Sequence, residues 1–124
     1  MAMTAKAMVE AASREVPRIS ADDAAEMIAA KGAVLLDVRE QSEVVASGKA
    51  EGAVTIPRGL LEFRADPTSE LYDDALSPEK PVLVYCAAGG RAALAGQTLK
   101  DLGYREVYNL GGLKDWAEGG GKVD

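Results

Sequence analysis

A lone cysteine followed by a glycine-containing loop is the feature of this sequence best suited to chemistry. Cys86 is the only cysteine among the 124 residues, and it follows the apolar run 82–85. Two alanines, two glycines and Arg91 come next, before a helical pattern over 92–102. A thiol between a strand and a helix start faces backbone N–H groups and the positive end of the helix dipole, and both favour the thiolate. The sequence therefore predicts a reactive cysteine.

The loop that begins at the cysteine is predicted to bind an anion. Gly89 and Gly90 can adopt dihedral angles closed to other residues, so successive N–H groups can turn inward as a nest. Arg91 adds a fixed positive charge and bidentate donors beside them. The competing interpretation, a small buried hydrophobic cysteine, requires neither the glycine pair nor the arginine. The candidate site is thus Cys86 as the catalytic residue, with a substrate-binding loop formed by Ala87, Ala88, Gly89, Gly90 and Arg91.

The absence of histidine excludes several kinds of catalytic and metal-binding site. The sequence contains no histidine, which excludes Cys–His and Ser–His–Asp catalysis as well as histidine metal ligation. One cysteine without histidine also argues against structural zinc, so we expect no metal and no cofactor. The thiolate must then be formed by the loop dipoles and Arg91 rather than by a general base.

Composition and charge define the broad class of protein. A chain of 124 residues, 48% hydrophobic and 27% charged, is predicted to form one domain around one core. Its net charge of −6 offers no evident basic face for nucleic acid. No apolar run approaches the length of a membrane span, and no signal-peptide pattern opens the chain. Because an exposed reactive thiol suits a reducing compartment, we expect a cytoplasmic protein with no membrane or nucleic-acid partner. The oligomeric state stays open.

The elements that must position the loop alternate along the chain. Short apolar strands and helical patterns follow one another, which is typical of a parallel sheet covered by helices on both faces. Residues 1–17 are predicted to form an N-terminal helical extension, and residues 18–120 the domain itself. A weak apolar stripe on the extension favours packing onto its own domain, with a dimer contact as the alternative. The stripe consists of Ala5, Met8, Ala12 and Val16. Strands are expected at 16–19, 33–37, 53–56, 82–85 and 106–109, and helices at 24–30, 40–46, 92–102 and 112–116.

The carboxyl ends of the predicted strands should meet at one edge of the sheet. Ligand sites of open α/β folds lie at that edge. Cys86 follows one predicted strand, while Asp37 and Arg39 close another. We expect Asp37 and Arg39 to brace the cysteine loop by an ion pair or by hydrogen bonds to its backbone.

Four sequence blocks, in this order, resemble a single-domain rhodanese over roughly residues 19–119. They are LLDVRE at 35–40, GAVTIP at 52–57, VYCAAGGRAA at 84–93, and GY through NLGGLKDW at 103–116. The resemblance implies a rhodanese-like α/β domain with a five-stranded parallel sheet. It also implies a cysteine that takes a sulfane sulfur from thiosulfate or a persulfide and passes it to cyanide or a thiol. The family's six-residue loop maps onto Cys86 to Arg91.

Two departures from the family pattern are evident. Residues 48–50 are Gly-Lys-Ala where Gly-His-Ile is common, a change that concerns packing rather than chemistry. Ala87 stands where many members carry arginine, so the loop has one cation fewer for a dianionic donor, and thiosulfate is expected to be a poor one. Arg58 and Arg64 are candidates to supply the missing charge, with ordinary surface positions as the alternative.

Two other functions stay open at this point. Rhodanese-like phosphatases and arsenate enzymes also use a thiolate in an anion-binding loop. The phosphatases have five residues between cysteine and arginine, whereas four separate Cys86 from Arg91, and the narrower loop suits a single sulfur atom. A binding module for a peptide or metabolite is the third interpretation. The intact cysteine argues against it, because inactive rhodanese domains tend to lack that residue.

Overall fold

Four parallel strands form the sheet of the computed structural model, which describes residues 2–124. Each neighbouring pair of strands is parallel, as expected where helices provide the crossovers. The strands are β1 (Val34–Asp37), β2 (Val54–Thr55), β3 (Val82–Cys86) and β4 (Val107–Gly112), and their order across the sheet is β2-β1-β3-β4.

The prediction of five strands is wrong by one. Residues 16–19 do run parallel to β4, but only Arg18 forms a bridge, with Asn109. Asn109 N donates to Pro17 O at 2.8 Å, and Ile19 N donates to Asn109 O at 3.1 Å. Proline has no N–H to extend the ladder, and a helix begins at Ala21. The segment is therefore too short to count as a strand.

Six helices of the described residues flank the sheet. The first two begin where their capping residues allow, because the Thr4 and Ser20 hydroxyls accept hydrogen bonds from backbone N–H groups in the first turn. None of the helices in residues 2–124 has the length and apolar character needed to cross a bilayer. The helices are α1 (Ala5–Glu15), α2 (Ala21–Lys31), α3 (Gln41–Ser47), α4 (Leu61–Ala65), α5 (Gly90–Asp101) and α6 (Leu113–Glu118), with a 3-10 turn at Arg58–Leu60.

Side chains alternate across β3 and build a core on each face of the sheet. Val82, Val84 and Cys86 belong to the cluster that includes α4 and α5. Leu83 and Tyr85 belong to the cluster on the opposite face, which includes α2 and α6. Residues 82–85 of β3 are buried, as predicted for a central parallel strand, and Cys86 at its end is buried as well. The strand alternation therefore directs the Cys86 side chain toward the α5 face.

The N-terminal helix α1 packs against α5 of the same chain. Val16, just after α1, lies against Gly96 so closely that a Cβ there would come within 2.7 Å of Val16 Cγ1. Ala12 is also buried, whereas Met8 is 47% exposed. The second half of the predicted apolar stripe thus packs on its own chain, while part of the first half remains open to solvent.

Candidate active site

The end of β3 and the start of α5 hold the predicted loop between them. Cys86 is the last residue of β3, and Gly89 caps α5 with a φ of 112°. A positive φ of this size strains any residue with a side chain, so this position requires glycine. Gly90 lies outside the left-handed region and has no atom within 4 Å of a Cβ position. Of the two glycines predicted to shape the loop, Gly89 is the one with the special conformation.

The cysteine sulfur lies under the loop and accepts a hydrogen bond from it. Cys86 is 1% exposed, so the expectation of an exposed thiol is wrong. Gly89 N lies 3.0 Å from Sγ. Ala87 and Ala88 are exposed on the outer side of the loop. A backbone N–H at this distance favours negative charge on sulfur, and so does the helix start behind it. The arrangement can stabilise a thiolate or another sulfur-centred anion.

Arg91 forms an ion pair with Glu43 on α3. Its Nη1 and Nη2 donate to Glu43 Oε1 and Oε2 at 2.7 and 2.9 Å. The Arg91 hydrogen bonds, with a further bond from the backbone N–H of Glu40, lower the pKa of Glu43 to about 2. In return the Glu43 carboxylate raises the pKa of Arg91. The structure thus brings Arg91 to the loop with its charge already paired, and the sequence analysis missed Glu43.

Asp37, Arg39 and Tyr85 form a buried polar network behind the loop. Arg39 binds Asp37 through Nε at 3.0 Å and Nη2 at 2.7 Å. Tyr85, the neighbour of Cys86, donates its hydroxyl to Asp37 at 2.7 Å and accepts from Ala50 N at 3.0 Å. Burial, with the Asp37 carboxylate, raises the pKa of Tyr85, which remains the neutral donor. The network fixes the strand that ends at the cysteine.

The same arginine also holds the helix that carries Glu43. Arg39 Nη1 donates to Ser47 Oγ at 2.8 Å, and its Nη2 donates to Gly48 O at 2.6 Å. Both acceptors lie at the end of α3. Asp37 and Arg39 therefore brace β3 and α3, rather than bonding to the loop backbone as one of the predicted alternatives required.

The two arginines suggested as substitute cations, Arg58 and Arg64, do not bind the loop. Arg58 pairs with Glu62 at 3.0 Å and donates to Thr98 at 2.9 Å. Thr98 lies eight residues beyond the start of α5, or ~12 Å along the helix. Arg64 Nε is buried and has no hydrogen-bond partner within residues 2–124. Neither arginine donates a hydrogen bond to the loop among these residues.

Asn109 on β4 is a second residue that sequence reasoning missed. Its side chain is buried, with Nδ2 donating to Gly89 O at 3.0 Å and Oδ1 accepting from Gly111 N at 2.8 Å. Arg18 lies on the same side, 3.6 Å from a Cβ position on Gly89. Asparagine is uncommon in strands, and this one precedes a pair of glycines, which is the signal available in the sequence. The hydrogen bond from Asn109 on β4 thus stabilises the conformation of Gly89.

A cleft of about 540 Å³ lies beside the loop, between α3 and α6. Ala87 forms part of its wall, so the cleft adjoins the cysteine loop. Within residues 2–124, no group of three or more acidic or cysteine side chains is placed to hold a metal ion. The other lining residues include Glu43, Ala46, Leu113, Lys114 and Ala117.

The chain is similar to a known protein family and to several individual proteins. A family model described as Rhodanese-like domain matches residues 20–119. YqhL of Bacillus subtilis is 39% identical over 92 residues, which are 73% of this chain and 64% of that protein. Thiosulfate sulfurtransferase GlpE of Coxiella burnetii is 32% identical over 100 residues, covering 80% of this chain and 85% of GlpE. A solved Rhodopseudomonas palustris protein, described as of unknown function and "Possible Tyrosine Phosphatase", covers 100% of this chain and 96% of its own, with 31% identity and a TM-score of 0.89.

Proposed function

The chain belongs to the rhodanese-like sulfurtransferase family, and we propose that it carries a sulfane sulfur on Cys86, from thiosulfate or a related donor to cyanide or a thiol. The observation that carries this proposal is the hydrogen bond of 3.0 Å from Gly89 N to the buried Sγ at the start of α5. Similarity to GlpE supports the same reaction class. The catalytic residue is then Cys86, and the residues from Ala87 to Arg91 form the binding loop.

The transfer proceeds in two balanced steps. The Cys86 thiolate attacks the sulfane sulfur of the donor, whose sulfur–sulfur bond breaks with its electron pair on the leaving group, sulfite in the case of thiosulfate. Cyanide or a thiolate then attacks the outer sulfur of the Cys86 persulfide, and the electron pair of the broken bond returns to Sγ. Neither step needs an oxidant or a reductant. The Gly89 N–H stabilises the negative sulfur before the first step and after the second.

Because Cys86 is the only thiol of the sequence, the nucleophile of the second step must come from another molecule. No second cysteine is present in the sequence to resolve the persulfide, so the acceptor is an external thiol or cyanide. We place the protein in the cytoplasm, where reduced thiols are maintained. We propose residues 18–120 as the sulfurtransferase domain and residues 1–17, of which Met1 lies outside the described residues, as its helical extension.

Mass spectrometry of the donor-treated protein tests the carrier directly. Incubation with thiosulfate or a persulfide should add about 32 Da, one sulfur atom, at Cys86. The added mass should disappear with cyanide as thiocyanate forms. Cys86→Ser should gain no mass and form no thiocyanate. Thiocyanate formation at the wild-type rate by Cys86→Ser would show that another group carries the sulfur.

The likeness to the Rhodopseudomonas palustris protein keeps one second candidate, an aryl phosphatase. A phosphoryl group needs donors around three equatorial oxygens. Here four residues separate Cys86 from Arg91, and Arg91 is paired with Glu43. We therefore expect negligible hydrolysis of p-nitrophenyl phosphate. Turnover of that substrate that is lost in Cys86→Ser would reverse the order of the two candidates.

A further inference from the structure

We propose, resting on the sulfurtransferase function above, that Glu43 is a specificity-determining residue that directs the Cys86 loop toward singly charged sulfur donors and away from dianionic thiosulfate. Glu43 acts through Arg91 rather than by contact with the sulfur. Two features carry this inference: the charge balance around the loop, and the cleft that adjoins it.

The first feature is the pairing of the loop's own cation. Arg91 is the only charged side chain between residues 86 and 91. Both of its terminal nitrogens bind the two carboxylate oxygens of Glu43, at 2.7 and 2.9 Å. This fork-to-fork pair has no net charge. A donor that enters the loop therefore meets a neutral pair where a free arginine would attract its second negative charge.

Neighbouring charges do not restore that attraction. The Glu40 carboxylate also acts on the charge of Arg91, although less than its partner Glu43 does. With the buried Asp37–Arg39 pair included, the α3 side of the loop has three carboxylates, those of Asp37, Glu40 and Glu43, for the two guanidinium groups of Arg39 and Arg91. On the β4 side, Arg18 and Asp115 both lie beside Gly111, so that cation also has a carboxylate near it. The balance of these groups favours a donor that carries little negative charge.

The second feature is the space next to the loop. The cleft of about 540 Å³ falls in the range of sites that hold organic ligands, and an ion as small as thiosulfate would fill little of it. Ala46, Leu113 and Ala117 contribute apolar surface near Ala87. Lys114, on the cleft wall, pairs with Glu118 at 3.7 Å. Such a cleft fits the organic group of a persulfide or thiosulfonate.

Three donors separate charge from shape in the experiment. Thiosulfate is a dianion. Methanethiosulfonate has nearly the same shape but a methyl group in place of one charged oxygen, and benzenethiosulfonate adds an aryl group for the cleft. Each donates its sulfane sulfur to the Cys86 thiolate and leaves as sulfite or as the corresponding sulfinate. The measured quantity is kcat/KM for each donor, with cyanide as the common acceptor.

Glu43→Gln is the test variant, and Glu79→Gln is its matched control. Glutamine keeps the size of Glu43 and can still accept the Glu40 N–H hydrogen bond at the start of α3. Glu79 pairs with Arg105 at 3.6 Å, just before β3 and therefore at the opposite edge of the sheet from Cys86. Both variants change the net charge by the same amount. Only the first leaves the charge of Arg91 unbalanced.

We expect the ratio of kcat/KM for methanethiosulfonate over thiosulfate to fall about fivefold in Glu43→Gln, the scale of one added charge several ångströms away in a partly hydrated site. The ratio should not change in Glu79→Gln. In the wild type, added salt should raise kcat/KM for thiosulfate more than for methanethiosulfonate, because screening weakens repulsion of the dianion. That difference should shrink in Glu43→Gln and persist in Glu79→Gln.

The outcomes distinguish a failure of the role of Glu43 from a failure of the sulfurtransferase function. An unchanged ratio in Glu43→Gln, or the same change in Glu79→Gln, overturns the role of Glu43 while sulfur transfer itself stands. If Glu43→Gln does not fold, the wild-type salt series decides alone, and a kcat/KM for thiosulfate that falls with salt overturns the inference. Failure of all three donors to form a Cys86 persulfide would overturn the proposed function, and this inference with it.

Discussion

Replacing Gly89 by alanine tests how the loop holds a backbone N–H on the cysteine sulfur. At a φ of 112°, a residue with a Cβ is strained by about 1–3 kcal/mol. The new Cβ would lie 3.5 Å from Gly111 Cα and 3.6 Å from Arg18 Nη1, which is ordinary contact. The dihedral strain therefore dominates, and the loop can relieve it by turning the Gly89 N–H away from Sγ.

The magnitude follows from the hydrogen bond that such a turn would break. A hydrogen bond to a charged group contributes about 1.5–3 kcal/mol. At about 1.4 kcal/mol for each factor of ten in rate, its loss should slow alkylation of Cys86 at pH 7 by about 10- to 100-fold. If the loop instead keeps its shape, the same variant should lose about 1–3 kcal/mol of unfolding free energy. Either response is measurable.

Gly90→Ala is the matched control for this experiment. Gly90 has an ordinary φ and open space around its Cβ position, and alanine in a helix is favoured over glycine by about 0.5–1 kcal/mol. Iodoacetamide labelling at pH 7, followed by mass spectrometry, gives the alkylation rate, and urea unfolding gives the stability. Equal behaviour of the two alanine variants in both assays would refute the assignment of the strained position to Gly89.

Three further predictions concern the groups around the loop. Asn109→Ala should lower the unfolding free energy by about 2–4 kcal/mol, because two buried backbone groups lose their partner, and it should slow alkylation of Cys86 at pH 7; unchanged alkylation would separate Asn109 from the loop. Asp37→Asn should cost about 3–5 kcal/mol in urea unfolding, because it leaves Arg39, which is 3% exposed, without its carboxylate. A loss below 1 kcal/mol would contradict that prediction. The ion pair of Glu43 should contribute only about 0.2–1 kcal/mol, since its two side chains are 37% and 33% exposed. Because the pKa of Glu43 is lowered from 4.5 to about 2, this contribution is complete above pH 4.5 and disappears as the pH falls toward 2. The difference in unfolding free energy between wild type and Glu43→Gln should therefore be constant from pH 5 to 8 and decrease below pH 5.

The sequence was sufficient to predict the local features of the site. The apolar run before Cys86 gives a buried strand whatever it packs against, and the two glycines with a helical pattern behind them mark a loop and a helix start. β3 does end at Cys86, and α5 begins at Gly90. These features depend on neighbours in the chain, so a single sequence contains them.

The residues that escaped prediction act across long separations. Glu43 is 48 residues from Arg91, and Asn109 is 20 residues from Gly89. With 20 acidic residues in the chain, nothing local selects the carboxylate that pairs with Arg91. The sequence therefore predicts the positive charge of Arg91 but not the carboxylate that pairs with it. The prediction of a fifth strand is wrong for another reason. The apolar pattern does not show how few hydrogen bonds the segment around Pro17 can form with β4.

The hydrogen bond between Gly89 and Cys86 has a reciprocal consequence for the protein's stability. Whatever free energy the N–H contributes to an anionic sulfur, negative charge on that sulfur contributes to the order of the loop in return, by thermodynamic linkage. The order of the loop is then coupled to the chemical state of Cys86. Hydrogen exchange at the Gly89 amide would report that state, and an alkylated cysteine, which cannot carry the charge, should leave this amide the more rapidly exchanging.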